Sequence, residues 1–105
     1  MSLSASSSVL AQIARPYATA LFDLATEAKS LGEIEASLND VSDLIGKSDD
    51  FSKFLSSPAI AADVKAAAID AIVAKAELPE MMANFLRLIA RNGRLFALPT
   101  IITSF

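Results

Sequence analysis

The segment that decides the fold is residues 13–25, IARPYATALFDLA, which lies within a longer run of helix-forming residues. One set of its apolar side chains recurs at three- and four-residue intervals: Ile13, Tyr17, Leu21 and Leu24. That spacing is typical of one face of an α-helix. Pro16 lies early enough for its missing N–H to be tolerated or to cause a slight bend. The pattern predicts a first helix over about residues 10–29.

Five further helices are predicted by the same spacing and by the Gly and Pro residues between them. They cover about residues 33–45, a short stretch after Asp49 that ends before Ser57-Pro58, then 61–75, 79–92 and 94–105. Gly32 is expected to form the joint before helix 2, and Gly46 is expected to end it. Asp49 is predicted to cap helix 3. Helix 4 is expected to face inward with Val64, Ala68, Ile69, Ile72 and Val73.

A chain of 105 residues suits one domain, and no segment of 4–8 residues has the pattern of a strand. The sequence therefore predicts an all-α fold, a compact six-helix bundle in a single domain over residues 9–105. The Ser-rich residues 1–8 are predicted to be a disordered N-terminal tail.

The composition argues against an enzyme and against a metal site. The chain has no Cys and no His, which removes thiolate chemistry and the side chain that titrates near neutral pH. No catalytic, cofactor-binding or metal-binding residue is predicted. No stretch approaches the roughly 20 apolar residues that cross a bilayer, and the N-terminus lacks the pattern of a secretory signal. We expect no direct membrane insertion.

Helices 1 and 5 have more apolar surface than a one-sided helix needs. On a helical wheel, the apolar arc of helix 1 spans roughly 200°. One stripe contains Ile13, Tyr17, Ala20, Leu21 and Leu24, and the neighbouring stripe contains Ala14, Ala18, Phe22 and Ala25. In helix 5, Met81 and Leu88 widen the stripe of Met82, Phe85, Leu86 and Ile89, beside Asn84 and Arg91. Such helices either lie centrally in a bundle or bind a partner with their second side.

Charge is also segregated along the chain. Residues 1–22 and 81–105 contain all four Arg and no acid, with net charges of +1 and +3. Residues 23–80 contain all twelve acids and five Lys, a net charge of −7. Arg is enriched at protein interfaces whereas Lys is depleted there. Accidental clustering on a solvated helix face is the alternative.

The two features together predict a groove between helices 1 and 5 that binds an amphipathic partner helix. Small residues would allow close approach of the partner, and Arg and Asn would lie at the rim. The predicted partner-binding residues are Ile13, Tyr17, Ala20, Leu21, Leu24, Met81, Asn84, Leu88 and Arg91. For Tyr17, the alternative is an ordinary tyrosine at the edge of the core.

Three blocks of sequence, in order, resemble the delta subunit of F-type ATP synthase. They are ARPYA at 14–18 with ALFDLA at 20–25, FLSSP at 54–58 followed by Lys65, and NFLRLIARNGRL at 84–95 followed by LP at 98–99. The mitochondrial relative is the oligomycin-sensitivity-conferring protein. Arg91 departs from the pattern, because an acid is common at that position.

The resemblance implies a six-helix N-terminal domain of a stator, the peripheral stalk that holds the catalytic head. It implies that helices 1 and 5 bind the N-terminal helix of an alpha subunit. The family's C-terminal part, which binds the stalk b subunits, is expected to be absent here. The implied location is peripheral, on the cytoplasmic face of the bacterial inner membrane, within a complex for ATP synthesis and hydrogen ion transport.

Two other functions remain open from sequence. One is a small helical nucleic-acid-binding module that uses the Arg cluster at 87–94, although the net charge of −3 gives no electrostatic reason to expect nucleic acid. The other is an enzyme with paired carboxylates, such as Asp49 with Asp50 or Glu33 with Asp40. These acids are more simply explained as a helix cap and a solvated helix face.

Overall fold

The computed structural model describes the backbone of residues 3–105 and the side chains of residues 8–105. This part of the chain forms six α-helices and no strand. The helices are α1 (Leu3–Glu27), α2 (Leu31–Lys47), α3 (Asp49–Ser56), α4 (Ala62–Ala76), α5 (Glu80–Arg91) and α6 (Leu98–Ser104). A 3-10 turn, Leu95–Ala97, leads into α6. The predicted all-α, six-helix bundle in one domain is confirmed.

The helices pack so that the two ends of the chain are neighbours. Helix α1 lies chiefly against α6, α4 lies against α5, and the 3-10 turn contacts α3. The largest fully buried side chains come from every α-helix and from the 3-10 turn: Leu21, Ile34, Leu55, Ile69, Met82, Leu86, Ile89, Leu95, Leu98 and Ile101. One apolar core therefore joins all the elements.

Helix α1 begins at Leu3, earlier than the predicted start near residue 10, and ends at Glu27. Pro16 lies inside it without ending it. The helix overlaps the predicted disordered tail from Leu3 onward, whereas residues 1–2 lie outside the described part of the chain. The disorder of residues 1–8 stays a prediction.

Three helices end in the same backbone motif. Lys29, Glu77 and Gly93 have left-handed backbones with φ of 58°, 54° and 70°. In each case the next residue donates its N–H back across the last turn, as in the bond from Ser30 to the carbonyl of Ala25 at 2.8 Å. This is the Schellman arrangement, in which glycine is the usual left-handed residue. Among these three ends, the end of α5 has that glycine, Gly93.

We expect Glu77→Gly to stabilise the fold. A left-handed backbone costs an L-residue about 1–2 kcal/mol, and part of that gain is offset by the greater freedom of glycine in the unfolded chain. The free energy of unfolding should rise by roughly 0.5–1 kcal/mol, measured by urea denaturation. Glu35→Gly, on the exposed face of α2 where the backbone is helical, is the control and should be destabilising. A loss of stability in Glu77→Gly would contradict the prediction.

The sequence-based predictions for the ends of α2 and the start of α3 are wrong in detail. Gly32 lies inside α2, because the turn that separates α1 from α2 is made by Lys29 and Ser30. Gly46 also lies inside α2, because the helix continues to Lys47. Asp49 is not the cap of α3. The cap is Ser48, whose hydroxyl accepts a hydrogen bond from the backbone N–H of Phe51 at 3.1 Å.

Removing this cap should weaken the joint between α2 and α3. Replacing an N-cap Ser by Ala costs about 1 kcal/mol, because one N–H of the first turn loses its acceptor. We therefore expect Ser48→Ala to lower the free energy of unfolding by about that amount. Asp49→Ala should cost less, since Asp49 contributes only a charge near the helix N-terminus. Equal effects of the two substitutions would show that the hydroxyl cap is unimportant.

Helices 4 and 6 also differ from their predictions. In α4 the predicted inward set is only partly correct, because Val64 is exposed, Ile69 is buried, and Ala68, Ile72 and Val73 are half-buried. Val64 lies in the first turn of α4, where no other element covers its side of the helix. Helix 6 was predicted from Arg94, but the α-helix starts at Leu98 after the 3-10 turn, with Pro99 in its first turn. That position tolerates proline.

Candidate functional site

Helix α1 divides its broad apolar arc between the core and the surface. Its fully covered side chains are small or central: Ala14, Ala18, Leu21 and Ala25. Ala20 is exposed, and 52% of the Leu24 side chain remains accessible. Ile13 and Tyr17 are half-buried against the core. Helix α6 therefore covers one stripe of α1 and leaves the flank of Ala20 and Leu24 open.

Helix α5 shows the same division. Met82, Phe85, Leu86 and Ile89 are buried, whereas Leu88 is 42% exposed and Met81 is half-buried. The buried set faces α4 and the core. Leu88 and Met81 lie on the side of α5 that faces α1.

An open apolar groove of about 440 Å³ lies between α1 and α5. Its lining residues are Leu21, Leu24, Glu80, Met81, Asn84, Phe85 and Leu88. We call this the α1–α5 groove. Its walls are the exposed leucines, one from each helix, and its floor includes the covered side chains of Leu21 and Phe85. A surface of this form suits the apolar side of a helix.

Tyr17 and Asn92 connect the two helices beyond the end of the groove. The Tyr17 ring meets the edge of the Phe85 ring, with centroids 6.5 Å apart. Its hydroxyl accepts a hydrogen bond from the side-chain amide of Asn92 at 2.9 Å. Tyr17 therefore bridges α1 to the C-terminal end of α5, which is closer to the predicted alternative of a tyrosine at the edge of the core.

The structure gathers only part of the predicted partner-binding set in the groove. Leu21, Leu24, Met81, Asn84 and Leu88 line it, but Ile13, Tyr17, Ala20 and Arg91 do not. Leu21 is 0% exposed, so its main contacts are within the fold and not with a partner. The helical wheel places Leu21 correctly on the apolar arc of helix 1, but it does not show that the fold itself covers this side chain.

Arg91 lies at a different depression, between α4 and α5. This depression is lined by Ala62, Asp63, Ala66, Asp70, Arg87 and Arg91. Arg87 donates a hydrogen bond from Nε to Asp70 at 2.6 Å and lies 3.4 Å from the Asn84 oxygen. Two acids thus oppose the arginines of α5. This arrangement disfavours the Arg cluster as a nucleic-acid surface, because its charge is partly neutralised within the fold.

Two groove residues were missed as partner contacts in the sequence. They are Glu80, an acid in the first turn of α5, and Phe85, which belongs to the apolar stripe of helix 5. Glu80 precedes Met81 and lies four residues before Asn84, so helical spacing alone would have placed it beside the groove.

A second apolar depression of about 430 Å³ lies among α2, α3 and α4. Its lining residues are Asp40, Leu44, Phe51, Ile72, Lys75 and Ala76. The sequence pattern does not indicate this depression, because Leu44 falls outside the inward spacing of helix 2. The 38% exposure of Leu44 is the feature that marks this surface.

The acids considered for catalysis are dispersed on the surface. Asp49 and Asp50 are exposed in the first turn of α3, and Glu33 and Asp40 are exposed on α2. Within the part of the chain that the structure describes, no three acids are close enough together to hold a metal ion. The α1–α5 groove, which presents mainly hydrocarbon, remains the best candidate for a functional site.

Comparison with known proteins identifies the family. The family model of the ATP synthase delta (OSCP) subunit matches residues 13–105. The chain belongs to the ATP synthase delta (OSCP) subunit family. The resemblance inferred from the three sequence blocks is thereby confirmed, and all the residues that line the α1–α5 groove lie in the matched region.

Curated relatives of this chain carry the name ATP synthase subunit delta. The relative from Brucella anthropi is 41% identical over 94% of this chain and 53% of its own length. The relative from Mesorhizobium japonicum is 40% identical over 95% of this chain and 54% of its own length. The relative from Rhizobium meliloti is 39% identical over 100% of this chain and 56% of its own length. The chain thus spans about half the length of the delta subunits it matches.

Among the described helices, none combines the length and the hydrophobicity that a bilayer-crossing helix requires.

Proposed function

We propose that this chain is a docking domain of an ATP synthase stator and that its α1–α5 groove binds the N-terminal helix of an alpha subunit of the catalytic head. The observation that carries the proposal is the pair of exposed leucines, Leu24 and Leu88, which flank an apolar groove between α1 and α5. In this proposal the domain is a non-catalytic subunit component.

The groove offers enough apolar surface for an anchored interface. Fully burying a leucine contributes about 1.5–3 kcal/mol, and Leu24 and Leu88 each leave about half of that surface for a partner to cover. Met81 and Asn84 lie between the two leucines along α5. Apolar anchors at the centre of an interface, surrounded by polar groups that exclude water, commonly dominate affinity.

The proposed role is mechanical. Rotary catalysis turns a central shaft, so the catalytic head experiences a reaction torque that the stator must resist. A docking domain resists it by dissociating slowly, and differences in affinity between related interfaces appear mostly in the dissociation rate. Contact with the stalk b subunits is assigned here to the part of the relatives' length that this chain does not span. In this proposal the domain lies at the periphery of the cytoplasmic face of the bacterial inner membrane, as part of the complex.

Ala20 tests whether a partner helix passes close to α1. It is exposed beside Leu24, so a bulkier side chain there leaves the core unchanged. We expect Ala20→Gln to weaken binding of a peptide from the alpha N-terminus by roughly fivefold, because overpacking a contact costs about 1 kcal/mol or more. Isothermal titration calorimetry measures this affinity.

Ala36→Gln supplies the matched control, because Ala36 is an exposed alanine on α2. It should bind the peptide as the unmodified chain does, and both variants should unfold at the same denaturant concentration. An Ala20→Gln affinity equal to that of the control would remove Ala20 from the interface. Failure of the unmodified chain to bind the peptide would overturn the proposed function itself.

A further inference from the structure

Asn92 and Gly93 form a sequence pair in which an asparagine side chain readily loses ammonia. In that reaction the backbone nitrogen of the following residue attacks the side-chain carbonyl carbon, and glycine has no Cβ to obstruct the approach. Both residues are exposed at the turn after α5, so water reaches them. The other two asparagines of the chain, Asn39 and Asn84, are followed by larger residues inside α2 and α5. Asn92 is therefore the asparagine of this sequence that is best placed for the reaction.

The reaction, deamidation, has two steps. In the first step the Gly93 nitrogen gives up its proton and forms a bond to Cγ of Asn92. The bond from Cγ to Nδ2 breaks, ammonia leaves with that proton, and a five-membered imide ring remains. In the second step water adds to one of the two carbonyl carbons of the ring and opens it. The product at position 92 is aspartate or isoaspartate, depending on which carbonyl carbon the water attacks.

The folded backbone holds the reacting nitrogen away from the geometry of the ring. The N–H of Gly93 donates to the carbonyl of Ala90 at 3.1 Å, and the N–H of Arg94 donates to the carbonyl of Ile89 at 2.9 Å. Asn92 has a ψ of 0°, which places the Gly93 nitrogen on the side of the Asn92 backbone nitrogen and not on the side of Cβ. Ring closure therefore requires a rotation about the Cα–C bond of Asn92 that breaks the hydrogen bond of Gly93.

The side chain of Asn92 is held as well, by a residue of α1. Its Nδ2 donates a hydrogen bond to the hydroxyl of Tyr17 at 2.9 Å. The Tyr17 ring is itself fixed, because it packs against the core and meets the edge of the Phe85 ring. Moving Cγ of Asn92 towards Gly93 withdraws Nδ2 from the hydroxyl. The reaction therefore costs this hydrogen bond in addition to the rotation of the backbone.

We propose that Asn92–Gly93 is a deamidation site and that the Tyr17 hydroxyl controls its rate in the folded protein. The hydrogen bond from Asn92 to Tyr17 protects the amide while the end of α5 stays attached to α1. Local opening of this bond, without unfolding of the bundle, is the event that makes the site reactive. This role of Tyr17 does not depend on the binding of a partner to the α1–α5 groove.

The two products differ in their effect on the end of α5. Aspartate keeps the course of the backbone, and the Tyr17 hydroxyl then donates to the new carboxylate in place of accepting from the amide. Isoaspartate routes the main chain through Cγ and lengthens it by a carbon. The hydrogen bonds of Gly93 and Arg94 across the last turn of α5 then lose their alignment. Isoaspartate thus loosens the joint between α5 and the 3-10 turn, whereas aspartate preserves it.

The test follows the three asparagines of the intact chain during incubation at mildly alkaline pH, which favours loss of the Gly93 proton. Mass spectrometry of proteolytic fragments measures conversion at each asparagine, so Asn39 and Asn84 serve as internal references. The decay of the Asn92 side-chain NH2 signals in ¹⁵N NMR spectra gives the rate directly. The same incubation in concentrated urea gives the rate for the unfolded chain, in which we expect Asn92 to react fastest of the three.

Tyr17→Phe removes the hydroxyl and keeps the ring beside Phe85. We expect it to speed the conversion of Asn92 in the folded chain by roughly fivefold, the factor that corresponds to one net hydrogen bond. In urea the variant and the unmodified chain should react at the same rate. Ser48→Ala is the matched control, because it weakens the fold at the remote joint between α2 and α3. It should leave the rate at Asn92 unchanged.

Each alternative result contradicts a stated part of the proposal. Conversion of Asn92 in urea that is no faster than that of Asn39 and Asn84 would overturn the site. Equal rates in the folded unmodified chain and in folded Tyr17→Phe would overturn the control by the hydroxyl. Equal acceleration by Tyr17→Phe and Ser48→Ala would assign the reaction to unfolding of the whole bundle, and a difference that persists in urea would assign it to local chemistry. Either of these results would also overturn the role of Tyr17.

Discussion

Replacing Leu24 and Leu88 together by serine is expected to weaken binding of the alpha N-terminal peptide by about 30-fold. Each leucine has about half of its surface exposed, so covering it by a partner should contribute about 1 kcal/mol. Two such contributions amount to about 2 kcal/mol, which corresponds to that change in the dissociation constant. Calorimetry at fixed temperature and salt measures it directly.

The matched control is Leu44→Ser with Val64→Ser. These side chains are 38% and 51% exposed, on α2 and α4, and neither lines the α1–α5 groove. Each of the four side chains is about half covered within the fold, so the two double variants should unfold at urea concentrations similar to each other and below that of the unmodified chain. Equal losses of affinity in the two double variants would mean that the peptide binds by general apolar adhesion and not in the groove.

Leu21→Ala is expected to give a large loss of stability. Leu21 of α1 is fully buried in the core, and replacing a buried leucine by alanine typically costs about 2–5 kcal/mol because a cavity remains. A domain of this size has about 5–15 kcal/mol of total stability, so the variant should still fold. Its midpoint of thermal unfolding should fall by roughly 10–25 °C. Circular dichroism during heating measures that midpoint.

The same variant separates stability from binding. Leu21 forms part of the floor of the groove, but its side chain has no exposed surface for a partner to cover. At a temperature where Leu21→Ala is fully folded, it should bind the alpha N-terminal peptide within about threefold of the unmodified chain. A loss of affinity as large as that of the Leu24 and Leu88 variant would return Leu21 to the interface.

Helical spacing predicted the number and the order of the helices, because every helix has an apolar stripe that must be covered. It failed at Gly32 and Gly46, which lie inside α2. A glycine within a helix costs only about 1 kcal/mol, and the burial of Ile34, Leu38 and Val41 on the other face of α2 outweighs that cost. Tertiary packing therefore outweighs the low helix propensity of glycine at these two positions.

The candidate site could be predicted as a pair of helices but not residue by residue. An apolar arc of about 200° shows that a helix has two apolar sides, but it does not show which of them the helix's own fold covers. That depends on where α6 packs, and α6 is remote in sequence from α1. Leu21 and Leu24 are only three residues apart, and one is sealed while the other is half exposed. Arg91 was predicted at the groove but lies elsewhere for a related reason. It is on the side of α5 that faces α4, where it lines a depression with Asp63 and Asp70.

The pairing of α1 with α6 has a consequence for synthesis of the protein. Helix α1 finds its principal packing partner in residues 98–104, which are synthesised almost a whole domain later. Until then the stripe of Ala14, Ala18, Leu21 and Ala25 stays uncovered and is open to chaperones or to other nascent chains. The packing of α6 on α1 is thus a late event in folding, and it brings together two segments that are far apart in the chain. The neighbouring helices α4 and α5, in contrast, can pair as soon as both have left the ribosome.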